Sequence, residues 1–255
     1  MLSAFFLACA DTSIGKCDRS SLPQQTLMEL FIFGFDDVGQ VCGSADDPTE
    51  VCTWKGVECD GDGVVDGFMW VNHGSLCTGT VGLHYLPSSL HTLELEENEL
   101  IGTVNLADMP AQLDTLTLTG NRLTGSVDLR SLALSLETLE LGSNAFTGSI
   151  SLTALPNTLL TLDLSTNQLS GTVCLTFLPE ALEYIDLSSN HFEGSVDLTR
   201  LPESMVQVRL GNNAFSGTID FAHLPRGIRR IMVSPNNFSA ALGKPSRKIC
   251  DWGRQ

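Results

Sequence analysis

Asparagines recur every 23 residues along this 255-residue chain, at Asn98, Asn121, Asn144, Asn167, Asn190, Asn213 and Asn236. Glycines keep the same step from Gly79 to Gly217. So do prolines at Pro87, Pro110, Pro156, Pro179, Pro202 and Pro225, with Ala133 filling the single gap. Three registers sharing one period specify a stack of similar coils, because a coil of this size cannot bury its own apolar side chains and only its neighbours can cover them. The unit is clearest in Leu155-Pro-Asn-Thr-Leu-Leu-Thr-Leu-Asp-Leu-Ser-Thr-Asn167-Gln-Leu-Ser-Gly171-Thr-Val-Cys-Leu175. Its alternating Leu-x-Leu core predicts a short strand with leucines inward and x residues outward. The asparagine sits where the chain leaves the sheet; there a short amide satisfies backbone groups of neighbouring coils and tolerates a left-handed conformation. The glycine permits a tight bend, the following Ser/Thr-Val/Ile-x-Leu reads as a second extended segment, and the proline starts the outer return. About seven strands ~4.8 Å apart would form a parallel sheet roughly 30 Å long.

Charge is unevenly placed along the stack. The formal net charge is −16, yet 27 acidic and 5 basic residues lie before Arg200, whereas 9 basic and 3 acidic residues lie from Arg200 onward. So acidic a chain repels phosphate backbones, and nucleic acid is not an expected partner. Six of the eight cysteines fall in the first 77 residues, which points to an oxidising compartment. Residues 1–10 read as the tail of a secretory signal ending in Ala8-Cys9-Ala10; a full signal has about 15–30 residues, so a truncated leader is expected. No later stretch approaches the ~20 apolar residues of a membrane span.

The L-x-x-L-x-L-x-x-N-x-L-x-G-x-V/I pattern resembles the leucine-rich-repeat family, in the plant-type form of receptor ectodomains and of secreted inhibitors of cell-wall-degrading enzymes. Cys52-Thr-Trp-Lys-Gly-Val-Glu-Cys59 is similar to that subclass's N-terminal C-x-W-x-G-V-x-C cap, and the apolar segment Leu22–Phe33 would be its capping helix. The variant with Val196-Asp-Leu followed by Leu201-Pro202 is similar to surface leucine-rich-repeat proteins of unicellular eukaryotes, including kinetoplastids. The resemblance implies an α/β solenoid, a right-handed superhelix with a parallel concave sheet and an irregular or 3-10 convex side. It divides the chain into a leader at 1–10, a disulfide-rich cap at 11–66, seven to eight coils at 67–242 and the start of a C-terminal cap or stalk at 243–255. It also implies a Cys52–Cys59 disulfide clamping the Trp54 loop, with Cys17 and Cys42 as a second candidate pair. Cys77 aligns with the core row Leu100, Leu123, Phe146 and Leu169 and is expected inside, while Cys174 belongs to an outward row with Asn105, Asp128, Ser151, Asp197 and Asp220.

In such a solenoid the exposed x residues of neighbouring strands form one continuous face. One row is Glu94, Thr117, Glu140, Asp163, Asp186, Arg209, Met232; a second includes Tyr184, Gln207 and Arg230; a third holds Glu96, Thr119, Gly142, Ser165 and Ser188. Like charges opposite one another on adjacent strands are destabilising, so Glu140, Asp163 and Asp186 hint at a cationic partner. Tyr184, the one aromatic on the face, lies beside Asp186 and Arg209 and is the expected contact centre. The candidate ligand-binding set is therefore Glu94, Thr117, Glu140, Asp163, Tyr184, Asp186, Arg209 and Arg230.

No residue pattern marks a cofactor or metal site. The five histidines occupy different repeat positions and suggest no catalytic triad. Asp60-Gly-Asp62-Gly-Val-Val-Asp66 resembles a calcium loop but lacks the distal Glu, and reads instead as a turn between cap and first coil. Asn237-Phe-Ser239 is a glycosylation sequon, and Arg226, Arg229, Arg230, Lys244, Arg247 and Lys248 cluster near the C-terminus. The expected role is a non-catalytic recognition or adhesion module, secreted or at the cell surface, binding a protein, peptide or glycan partner, possibly basic. The alternative is a secreted hydrolase inhibitor. A third reading, an ice-binding column of Ser/Thr residues from Thr80 to Thr218, is disfavoured by the charged row beside it.

Overall fold

The computed structural model describes residues 21–243 and the short strand Cys250–Asp251. The expected leader at 1–10, Cys17, and the basic residues Lys244, Arg247 and Lys248 lie outside the described residues.

Every Leu-x-Leu segment forms a three-residue strand, and these strands stack in register at one repeat, Leu139 beside Leu162 beside Ile185. The result is a 10-stranded sheet in which only the first strand, Val57–Cys59, runs antiparallel to its neighbour, Val65–Met69. Leu93, Leu116, Leu139, Leu162 and Ile185 are fully buried beneath it. Each buried leucine or isoleucine contributes about 2 kcal/mol of hydrophobic stabilisation, and that burial exists only because a coil lies on either side. Helix is confined, among the described residues, to the cap segments Gln24–Ile32 and Gly39–Cys42, so the body is a β-solenoid.

The ladder asparagines hold the coils together. Asn167 Nδ2 donates to the Leu141 carbonyl of the preceding coil at 3.0 Å, and its Oδ1 accepts from the Phe146 N–H at 3.0 Å. Asn121, Asn144, Asn190, Asn213 and Asn236 repeat this pattern one coil at a time. Asn98 starts it against the Trp70 carbonyl. The left-handed conformation expected at these asparagines falls one residue earlier, at Glu97, Gly120, Ser143, Thr166, Ser189 and Asn212, with φ between 52° and 72°. The amide must point inward to reach two coils, so the residue before it takes the turn.

A second, eight-stranded parallel sheet runs from Gly74–Thr80 to Asn237–Leu242. It is made by the residues just after the ladder asparagine, such as Gln168–Gly171, and not by the Val/Ile-x-Leu segment expected to extend. Val173 and Leu175 instead fill the core of the turn that follows. The outward residue between them caps that turn: Asp128 Oδ1 accepts from Arg130 N, Asp197 Oδ1 from Thr199 N and Asp220 Oδ1 from Ala222 N. In three early coils the turn is a 3-10 helix, at Leu83–Tyr85, Leu106–Asp108 and Leu129–Ser131.

The cap closes the first coil. Helix Gln24–Ile32 buries Met28, Phe31 and Ile32, and Phe31 packs edge-on against Phe68 at 5.9 Å. Gln24 and Gln25 accept hydrogen bonds from the Val65 and Val51 N–H groups, which satisfies the entering backbone. Gly79 is required where the cap meets the second sheet: its φ is 118°, and a Cβ there would stand 2.1 Å from the Gly34 carbonyl oxygen. Cys52 and Cys59 form a disulfide with a Cα separation of 5.8 Å, beside the buried Trp54, whose indole N–H donates to the Thr49 carbonyl. Cys42 is a buried thiol donating to the Val38 carbonyl, Cys77 is buried as its row requires, and Cys174 is exposed. The Asp60 segment is a hairpin turn in which Asp60 Oδ1 accepts from the Asp62 and Val64 N–H groups.

Candidate functional site

Because leucines occupy the inward positions of the first sheet, every alternate residue faces out, and the strand register turns the sequence into rows. Glu94, Thr117, Glu140, Asp163, Asp186 and Arg209 lie side by side in that order, and Tyr184 stands between Thr161 and Gln207 in the neighbouring row. All eight candidate residues therefore share one face, with Arg230 exposed beside Gln207.

Their environments differ in ways that spacing does not reveal. Asp186 is buried, 2% exposed. Its Oδ1 accepts from the Ser188 backbone N–H at 2.9 Å and hydroxyl at 2.5 Å, and its Oδ2 accepts from the Tyr184 hydroxyl at 3.1 Å and from Arg209 Nη1 at 3.2 Å. Arg209 also lies 5.6 Å above the Tyr184 ring. With the Gln207 amide turned so that its oxygen faces the guanidinium, that oxygen accepts from Arg209 Nε at 2.6 Å and Nη2 at 2.9 Å. Burial, and then the Asp186 and Asp163 carboxylates, hold the Tyr184 phenol well above its usual range, so it remains a neutral donor. The expectation that Asp186 is an open contact needs correcting: it is a foundation, and what reaches solvent is Tyr184 and the outer side of Arg209.

Asp163 repeats the same turn, its Oδ1 accepting from the Ser165 N–H at 2.8 Å, although burial outweighs that bond and raises its pKa. Two of the three stacked carboxylates thus have a structural reason to be there. The sequence signal is Asp-x-Ser at the strand end, a side chain capping its own turn. Glu140 has no such bond. Burial and then Asp163, Glu96 and Glu94 raise its pKa, and Glu96 is raised by burial and by Glu94 and Glu97.

A scan against protein-family models finds no match, and no curated protein is similar to the chain. Solved structures do resemble it. The leucine-rich-repeat ectodomain of the Arabidopsis thaliana receptor kinase GASSHO1/SCHENGEN3, in complex with CASPARIAN STRIP INTEGRITY FACTOR 2, aligns over 85% of this chain and 33% of its own with a TM-score of 0.61 and 20% identity. The PEPR1–AtPEP1 structure aligns over 87% of this chain and 36% of that one, with a TM-score of 0.58 and 24% identity. The ectodomain of the Arabidopsis thaliana receptor kinase SOBIR1 aligns over 69% of this chain and 95% of its own, at 0.52 and 24%. This chain thus spans about a third of the first two structures. It has the fold of leucine-rich-repeat ectodomains. Among the described residues no helix is long and apolar enough to cross a membrane.

Proposed function

We propose that this chain is an extracellular recognition module that binds a protein or peptide along the exposed face of its first sheet, with Tyr184 and Arg209 as anchors. The observation that carries this is the immobilisation of Arg209. Asp186 holds it from one side, Gln207 from the other, and the Tyr184 ring lies beneath it, yet a third of its side chain remains open to solvent. An arginine fixed in advance loses less side-chain entropy on binding, and Tyr and Arg are the residue types that most often dominate interface energies. Rows of threonine on either side make the face shallow, which suits an extended chain better than an enclosed small molecule. The Cys52–Cys59 disulfide supports an oxidising, extracellular setting. Solved neighbours in complex with AtPEP1, with CASPARIAN STRIP INTEGRITY FACTOR 2 and with the peptide hormone IDA support a peptide as the kind of ligand.

The test is capture from the extracellular fraction of the source cells. Tyr184→Ala with Arg209→Ala should abolish retention of the partner kept by the unaltered protein, whereas Arg122→Ala on the second sheet should not. Equal retention by both variants would move the contact off this face.

A further inference from the structure

Once Asp163 and Asp186 are accounted for by the turns they cap, the unexplained negative charge on the face is confined to Glu94, Glu96 and Glu140. None of the three makes a hydrogen bond or ion pair among the described residues, and burial together with mutual repulsion raises the pKa of Glu96 and Glu140. Between them runs the strand Thr115–Thr117, so Glu94 and Glu140 stand on either side of Thr117, roughly 10 Å apart across two strand spacings.

The floor of this cluster is unusual in its own right. Thr117 is only 3% exposed, and its hydroxyl has no hydrogen-bond partner among the described residues. Two positions on, the Thr119 hydroxyl is buried and likewise unpartnered. A buried hydroxyl left without a partner costs about 1–3 kcal/mol, and a recognition surface that retains two side by side, beneath three unpaired carboxylates, lacks a donor that all five groups can share. Among the described residues no three His, Cys, Asp or Glu side chains stand close enough to hold a metal ion. The missing group is therefore larger than a bare ion and brings several N–H donors of its own. A primary ammonium on a flexible stem fits: it is a compact charge with three donors.

We infer that Glu94, Glu96 and Glu140, with the Thr117 and Thr119 hydroxyls beneath them, form a subsite for a lysine side chain of the partner. This rests on the reading of the face as a recognition surface, and it adds the chemistry of the ligand. The subsite lies three strands from Tyr184, so a peptide laid across the strands would reach both, its lysine toward the cap and its remaining contacts at Arg209. The acidic first two-thirds of the chain would draw such a peptide toward the face.

The experiment is calorimetric titration of the full chain with an end-blocked tetralysine peptide at low ionic strength. Binding is expected, and it should fall about tenfold when the four ammonium groups are acetylated. The pair Glu94→Gln and Glu140→Gln, which relieves repulsion and so leaves the fold intact, should weaken binding by about tenfold. Thr117→Val, which changes no charge, should weaken it a few-fold. A charge-matched control, Glu180→Gln with Glu203→Gln at exposed positions off the face, should change it less than twofold. Equal weakening in the control, indifference to Thr117→Val, or no binding by the unaltered chain would overturn the subsite. None of these outcomes involves Tyr184 or Arg209. Partner capture lost in Tyr184→Ala without tetralysine binding would sink the subsite alone, and tetralysine binding with capture indifferent to Tyr184→Ala would sink the reading of the face.

Discussion

Arg209 reaches across one strand spacing to place Nη1 3.2 Å from Asp186 Oδ2, joining a side chain that is 34% exposed to one that is 3% exposed. The pair sits where the charge of the chain changes sign, between an acidic front and a basic last quarter. Asp186 also accepts from Ser188 and Tyr184, so its removal strands several donors at once. Asp186→Ala should cost about 3 kcal/mol, and Asp186→Asn, which keeps an acceptor, clearly less. Urea denaturation midpoints measure both. An alanine variant within about 0.5 kcal/mol of the unaltered chain would show that the network is not holding the strands.

Asn167→Ala removes one acceptor and one donor group that bridge two coils while leaving the Leu141 carbonyl and the Phe146 N–H buried. A loss of about 3 kcal/mol is expected in the same assay, with a similar loss at Asn190 and a smaller one at the less buried Asn213. Equal, negligible losses at all three would mean that stacked leucines alone hold the coils together.

Acid should stabilise this protein over part of its range. Glu96, Glu140 and Asp163 have folded-state pKa values above the ordinary carboxylate range, through burial first and neighbouring carboxylates second, or third in the case of Asp163, where the Ser165 bonds oppose it. Below the ordinary values of about 4 both folded and unfolded chains are protonated and the contribution is fully present; it is lost as pH rises through the raised values. Lowering pH from 7 toward about 5 should therefore raise the thermal midpoint, and Glu140→Gln should raise the midpoint at pH 7 while flattening this dependence. Asp197 acts in the opposite sense, its pKa lowered by the Thr199 hydroxyl and N–H, but only below the ordinary aspartate range. A midpoint that falls steadily from pH 7 to 5 would contradict the assignment.

The fold was legible because its determinants are periodic. A 23-residue step places each leucine, asparagine and glycine in register, and the rows on the first sheet follow by arithmetic. The second strand was misplaced, since Val173 and Leu175 are apolar for burial in a turn and share their alternation with a strand. The face was legible in position but not in role. Asp163, Asp186 and Glu140 look alike in one row, and only the hydroxyl two residues on separates a capped aspartate from an unpaired glutamate. Gln207, which braces Arg209, had no signal beyond sharing its strand.

The cysteines should separate cleanly by reactivity. Burial pushes the Cys77 thiol up to about 11 and raises that of Cys42 as well, whereas Cys174 is exposed beside Thr176. Iodoacetamide on the native protein, read by peptide mass spectrometry, should label Cys174 and spare Cys42 and Cys77. Labelling of Cys77 at the rate of Cys174 would show that the first coil opens to solvent.

A photo-crosslinking residue at position 230, exposed beside Gln207 on the first sheet, can be compared with one at position 177, where Phe177 is 65% exposed away from it. With partner present, adducts should form from position 230 and not from 177. Adducts from 177 alone would place recognition elsewhere on the solenoid.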